Sequence, residues 1–201
     1  MLTLFTVWVI LAFYVAWDGR SYLEGVLRLF PPDRRDVGRD LARSLSVALP
    51  WWLVGRLSSM LVVAVLTAPG LLLLGIPLAF VLAIMAGLFS FIPFVGPIAS
   101  VVPAALVALQ SAPSKVFWVL VLYAGVQFVE SNLVTPTIQK RVASVPPLLL
   151  IGGQLVLGTV AGLVGVMFST PLMLTIMVTI QVVYLRHGLD EEVTTPQEAR
   201  M

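Results

Sequence analysis

The stretch "FIPFVGPIASVVPAAL", Phe91–Leu106, decides the fold. It carries no charge, every side chain is apolar or small, and prolines stand at Pro93, Pro97 and Pro103. In hydrocarbon an unpaired backbone amide or carbonyl is costly, because no water replaces the lost partner. Proline removes a donor and its ring disrupts the preceding helical turn. A break in so lipid-soluble a stretch therefore survives only beside other protein or a wet cavity. Pro93, Gly96 and Pro97 lie close together, so a straight helix through Phe91–Ile98 is not expected. The expected geometry is two short helices joined by a tight turn, either reaching the far surface or stopping inside as a re-entrant hairpin. A plain interhelical turn at the membrane face is the alternative.

The rest of the chain fits that setting. Its 201 residues are 59% hydrophobic and 11% charged, with a mean hydropathy of +1.03. A soluble domain is about a quarter charged, so the composition indicates an integral membrane protein. The charges are confined: none falls between Arg56 and Lys115, only Glu130 between Lys115 and Lys140, and none between Arg141 and Arg186. The fold class expected is all-α: a polytopic helical membrane protein with broken or re-entrant hairpins and an amphipathic linker helix.

Four segments follow from the pattern. Residues 1–17, "MLTLFTVWVILAFYVAW", lack a basic n-region and a small-residue cleavage site, and read as a transmembrane helix. Residues 18–49 hold most of the arginines. Within them Pro31–Pro32 interrupts, Asp33 is a candidate N-cap, and Val37, Leu41 and Leu45 form an apolar stripe opposite Arg35, Arg39 and Arg43. That segment reads as a cytoplasmic linker, with Asp36 and Asp40 in reach of Arg39 and Arg43. Residues 50–186 form the membrane core: a span at Trp51–Pro69, short pieces at Pro77–Phe91 and Ile98–Leu109, a span at Val116–Val134, and a long apolar run to Leu185. Residues 187–201 form a polar tail. Arg56, near the start of its span, is expected to snorkel back to the headgroups. The last run is too long for one span and is read as two pieces meeting near Phe168–Pro171, with Gly158 and Gly162 in close-packing GxxxG spacing. Basic residues place residues 18–49 and the C-terminus in the cytoplasm and the N-terminus outside.

Glu130 is the sole carboxylate between Asp40 and Asp190. Gln127 and Ser131 lie near it on the helix, and Asn132 and Pro136 follow. A carboxylate at membrane depth faces protein or water and is a functional-site candidate by default. It is a candidate for carrying a proton, or for binding Na⁺ with Asn132 and carbonyls freed by Pro136. The alternative places Glu130 at the inner interface. Two interrupted apolar segments point to a transport path between them. Gln127, Glu130, Asn132 and Pro136 are the candidate path, Pro93, Gly96 and Pro97 the broken turn, and Gly158, Gly162 and Pro171 the terminal break.

Other classes lack their residues. There is no cysteine and His187 is the only histidine, so no metal centre or cofactor is expected. No nucleophile elbow, HExxH or Walker loop occurs, and no enzymatic activity is expected. The expected partners are the lipid bilayer and a small solute or monovalent cation or proton, with no nucleic acid.

The segments "WDGR", "LFPPDRR", "LLLGIPLAF", "FIPFVGPIASVVPAALVAL", "QFVESNLVTPTIQKR" and "GTVAGLVGVMFSTPL", in this order, resemble the membrane core of the autoinducer-2 exporter family, the PerM-type permeases of bacteria. The resemblance covers roughly Phe13 to Val183. It implies an oligomeric inner-membrane transporter, with autoinducer-2 export in some members and Na⁺ or Li⁺/H⁺ antiport in others. It also implies that Pro93, Gly96 and Pro97 form a hairpin turn, and that Glu130, Asn132 and Pro136 form a polar motif. Gly162 and Pro171 would mark the terminal break. Family members are longer at the N-terminus, so a truncated or minimal member, a fragment or a misplaced start is implied. A non-transporting scaffold or a channel-like oligomer is the competing reading.

Overall fold

The computed structural model describes residue 31, residues 35–134, residue 136 and residues 145–186. The expected first span and most of the polar segment before residue 35 lie outside the described residues, as do Lys140, Arg141, His187 and the tail.

Every element among the described residues is helical. Helix α1 (Arg35–Leu73) runs unbroken from the arginine-rich segment into the membrane core. The amphipathic stretch and the span expected after it are thus one rod. Pro50 does not stop it, because it sits exposed where the freed carbonyl of Ser46 can meet water. The salt bridges Arg39–Asp36 at 3.3 Å and Arg43–Asp40 at 4.0 Å decorate the polar end. From Trp51 to Leu73 the rod covers about 35 Å at 1.5 Å per residue, enough for one crossing.

One side of α1 is lined by small buried residues: Ser44, Ala48, Gly55, Ser59, then Val63 and Thr67. The opposite row, Leu53, Leu57, Leu61 and Val65, is exposed. An exposed apolar row on a helix this long suits an apolar surrounding such as lipid.

After a turn at Leu74–Pro77, α2 (Ala79–Phe89) runs back along α1. A side chain at Gly87 would strike the carbonyl of Met60 and the methyl of Ala64, so the two backbones touch. Helix α2 covers only about 16 Å, short of a bilayer. Its end reaches the level of Trp52, whose ring meets Phe91 edge-on with centroids 6.0 Å apart. The chain then turns through Ile92–Phe94 and returns as α3 (Val95–Ser111). The break at Pro93–Pro97 is therefore a helical hairpin, as the prolines dictate. Gly96, Ser100, Ala104 and Ala108 form the buried row of α3.

Helix α4 (Pro113–Val129) starts on Pro113 and widens at Glu130–Val134 into a π-helical turn. Lys115 donates to the carbonyl of Gly75 at 2.9 Å, tying α4 to the far end of α1. Helix α5 (Pro147–Thr179) continues as a wide turn to Arg186. It is folded in two. Gly162 has φ 59 and ψ −142, a conformation side chains disfavour. Across that bend Gly165 lies against the backbone of Leu157, Gly158 against Val166, and Gly153 against Met173. These pairs converge on residue 162, so the halves pack antiparallel. The two pieces expected to meet near Phe168–Pro171 meet instead at Gly162, one of the three residues read as the terminal break. Pro171 sits inside the second leg, and its carbonyl accepts from the Thr175 hydroxyl at 2.8 Å. A proline removes one bond, whereas Gly162 reverses the chain.

Two cores result. One joins α1 to α4 around Val63, Leu71, Leu82, Ala104 and Val119. The other packs Leu41, Leu45 and Ala48 of α1 on Leu174, Val178 and Val182. The apolar stripe expected on the arginine-rich helix thus rests on the final leg. Among the described residues three helical stretches, α1, Pro113–Val134 and Pro147–Tyr184, are long and apolar enough to cross a membrane by length and composition, the last counted across its bend at Gly162.

Candidate functional site

A cavity of about 500 Å³ opens where the two hairpins meet α1 and α4. Helix α1 contributes Arg56 and Ser59, the first hairpin Pro93 and Pro97, the widened turn Glu130, and the last leg Thr170. Trp52, Phe94, Ile98 and Leu174 supply apolar wall.

Glu130 is 7% exposed, although its side chain is a carboxyl group. Its Oε2 accepts from Gln127 Nε2 at 3.1 Å and from Ser131 Oγ at 3.3 Å. Gln127 Nε2 also donates to Ser131 Oγ at 3.0 Å. The three side chains therefore lock one another. The π-helical turn begins at Glu130 itself. Such bulges re-aim side chains and recur at functional sites.

Arg56 is the residue that sequence reasoning assigned elsewhere. It lines the cavity, close enough to Glu130 for the two groups to interact electrostatically. Its signal was available: Arg56 is the sole charge between Arg43 and Lys115, as Glu130 is between Lys115 and Lys140. Two lone, opposite charges in apolar spans are each costly unless they share an enclosure.

The remaining candidates divide. Pro93 and Pro97 line the cavity and Gly96 is buried beside them. A Cβ on Gly96 would collide with the carbonyl of Phe89, so only glycine closes this hairpin. Asn132 is exposed, and its side chain donates to the Phe128 carbonyl at 2.9 Å rather than joining Glu130. Pro136 is exposed. Gly158 and Gly162 shape the second hairpin away from the cavity, and Pro171 follows the cavity-lining Thr170. Gln154, absent from the sequence candidates, is 4% exposed and donates to the Pro93 carbonyl at 2.9 Å.

A family model for the AI-2E family transporter matches residues 1–185. The chain belongs to the AI-2E transporter family. It is an integral membrane protein, as its apolar helices require. Among its AI-2E-like relatives is YueF of Bacillus subtilis, provisionally named a transport protein, 27% identical over 79% of this chain and 43% of its own length. MT0215 of Mycobacterium tuberculosis, named in the same provisional way, is 30% identical over 85% of this chain and 46% of its own. PerM of Escherichia coli, provisionally named a permease, is 27% identical over 81% of this chain and 46% of its own. The chain thus spans about half the length of these curated relatives. No solved structure matches it.

Proposed function

We propose that this AI-2E family chain carries the solute cavity of a bacterial inner-membrane transporter. Glu130 is its proton-carrying group and the Phe91–Pro97 turn its movable wall. One observation carries the reading: a buried carboxylate, a lone arginine and a broken helical hairpin share one cavity of about 500 Å³. That volume suits a small molecule. An autoinducer-2-like polar signal is the solute class that the family description suggests. Exchange of a monovalent cation for protons fits less well, because Arg56 places a fixed positive charge beside Glu130.

The orientation expected from basic residues is retained in the proposal. Arg39 and Arg43 mark one end of α1, and Lys115 is tied to the other at Gly75. The arginine end is assigned to the cytoplasm.

The test is flux in proteoliposomes holding the full chain, across a solute panel, with and without an imposed pH gradient. Glu130→Gln is expected to abolish proton-linked flux in a protein that still folds. Flux and pH dependence unchanged by that substitution would remove Glu130 from the mechanism. Passive conductance that ignores the pH gradient would favour a channel instead.

A further inference from the structure

Arg56 and Thr170 both line the cavity. Arg56 Nε and Thr170 Oγ1 are sealed behind its wall, and neither has a hydrogen-bond partner, so each side chain turns to present its donor to a guest. Thr170 is 6% exposed. Thr159, Thr175 and Thr179 return their hydroxyls to carbonyls three or four residues back, at 2.7–2.8 Å; Thr170 does not. Its neighbour Ser169 takes the Val166 carbonyl at 2.6 Å. Leaving such groups unsatisfied is costly, more so for a charged one, and a guanidinium offers its donors in a planar fork that matches a carboxylate.

We propose that the cavity takes a small carboxylic acid, its carboxylate held by Arg56 and Thr170 and its proton lodged on Glu130. The proposal rests on the transport reading and puts a carboxylic acid, as substrate class, in place of the polar signal that the family description suggests. Charge balance supports it. The charged groups lining the cavity, among the described residues, are Arg56 from α1 and Glu130 from the widened turn; the α2–α3 turn and both legs of α5 present none. An anion alone would leave an excess negative charge in a poorly solvated space. A bare cation would leave an excess positive one, and Arg56 cannot shed its proton. An acid HA divides into A⁻ on Arg56 and H⁺ on Glu130, and the total charge is unchanged. Once Glu130 is neutral, its hold on Arg56 weakens and the guanidinium is available to the incoming anion. Trp52, Phe94 and Ile98 suit the hydrocarbon part of the acid.

The experiment is binding to the full chain in lipid nanodiscs, with empty nanodiscs subtracted. The probes are benzoate, neutral benzamide and cationic benzylammonium. Benzoate alone is expected to bind. Its affinity should rise up to about tenfold for each unit the pH falls, as one-proton linkage requires. Arg56→Gln should weaken benzoate by about tenfold or more, and Thr170→Val, which keeps the shape, by roughly two- to tenfold. Arg56→Lys keeps the charge without the fork and should fall between. Glu130→Gln should bind benzoate with a flattened pH profile. Benzamide binding as tightly as benzoate, a flat profile in the parent chain, or full affinity in both Arg56→Lys and Thr170→Val would overturn the proposal. Arg56-dependent benzoate binding without flux would leave this site standing and sink the transport reading. Flux of a neutral solute without benzoate binding would do the reverse.

Discussion

The side-chain amide of Gln154 donates to the backbone carbonyl of Pro93 at 2.9 Å, joining the first leg of one hairpin to the tip of the other. The same carbonyl accepts from Val95 N at 2.7 Å, closing a three-residue turn around Phe94. Phe94 has φ 64, which a bulky residue adopts only when its surroundings hold it there. Gln154 is therefore the clasp on a strained turn that forms the cavity wall.

Replacing Gln154 by Leu should cost about 1–3 kcal/mol, the penalty for stranding a buried polar partner. Thermal unfolding in detergent would measure it. Adding Phe94→Gly should return part of the loss, since glycine adopts positive φ without strain. Failure of the second change to help would show that the turn is not what Gln154 supports.

Two glycines in helices should behave oppositely. Gly96→Ala should prevent folding or lower its yield severely, because the methyl would occupy the space of the Phe89 carbonyl. Gly125→Ala has nothing within 4 Å to meet and should be neutral or stabilise by roughly 0.5–1 kcal/mol through helix propensity. Monodispersity of purified protein would separate the two.

Gly162→Ala tests the second fold-back differently. No atom lies within 4 Å of the added methyl, so any loss comes from the backbone angle. The expected cost is about 1–3 kcal/mol. Pro171→Ala should cost less, as Pro171 lies within a continuing leg. The opposite ranking in thermal melts would move the bend back to Pro171.

At the polar end, Asp36→Asn should change stability by less than about 1 kcal/mol, because its pair with Arg39 is solvent-exposed. A large loss in melts at low salt would mean that the helix end is held by that pair rather than by Leu41, Leu45 and Ala48.

The hairpin at Phe91–Pro97 was legible because Pro93, Gly96 and Pro97 act locally and fall within five residues, a density of breakers that a straight helix does not absorb. The apolar stripe of the arginine-rich helix was legible from its period. The bend at Gly162 was harder. Gly162 stood beside Gly158 and Pro171 as a candidate break, but many glycines line that run, and sequence does not reveal which one takes a reversed backbone angle. Helix α1 passing Pro50 depended on exposure, which is a tertiary property. The isolation of Glu130 was visible, but not that it shares a cavity with Arg56 across the fold. Thr170 and Gln154 gave no signal at all, because an ordinary polar residue in a helix becomes distinctive only through what it lacks or reaches.

The buried row of α3, from Gly96 through Ser100 and Ala104 to Ala108, has one further consequence. These side chains have few or no rotamers to reset when a neighbour slips along them. An interface without interlocking knobs offers little friction to axial sliding, and bulky replacements at Ser100, Ala104 or Ala108 should raise that friction by forcing side chains between closely packed backbones.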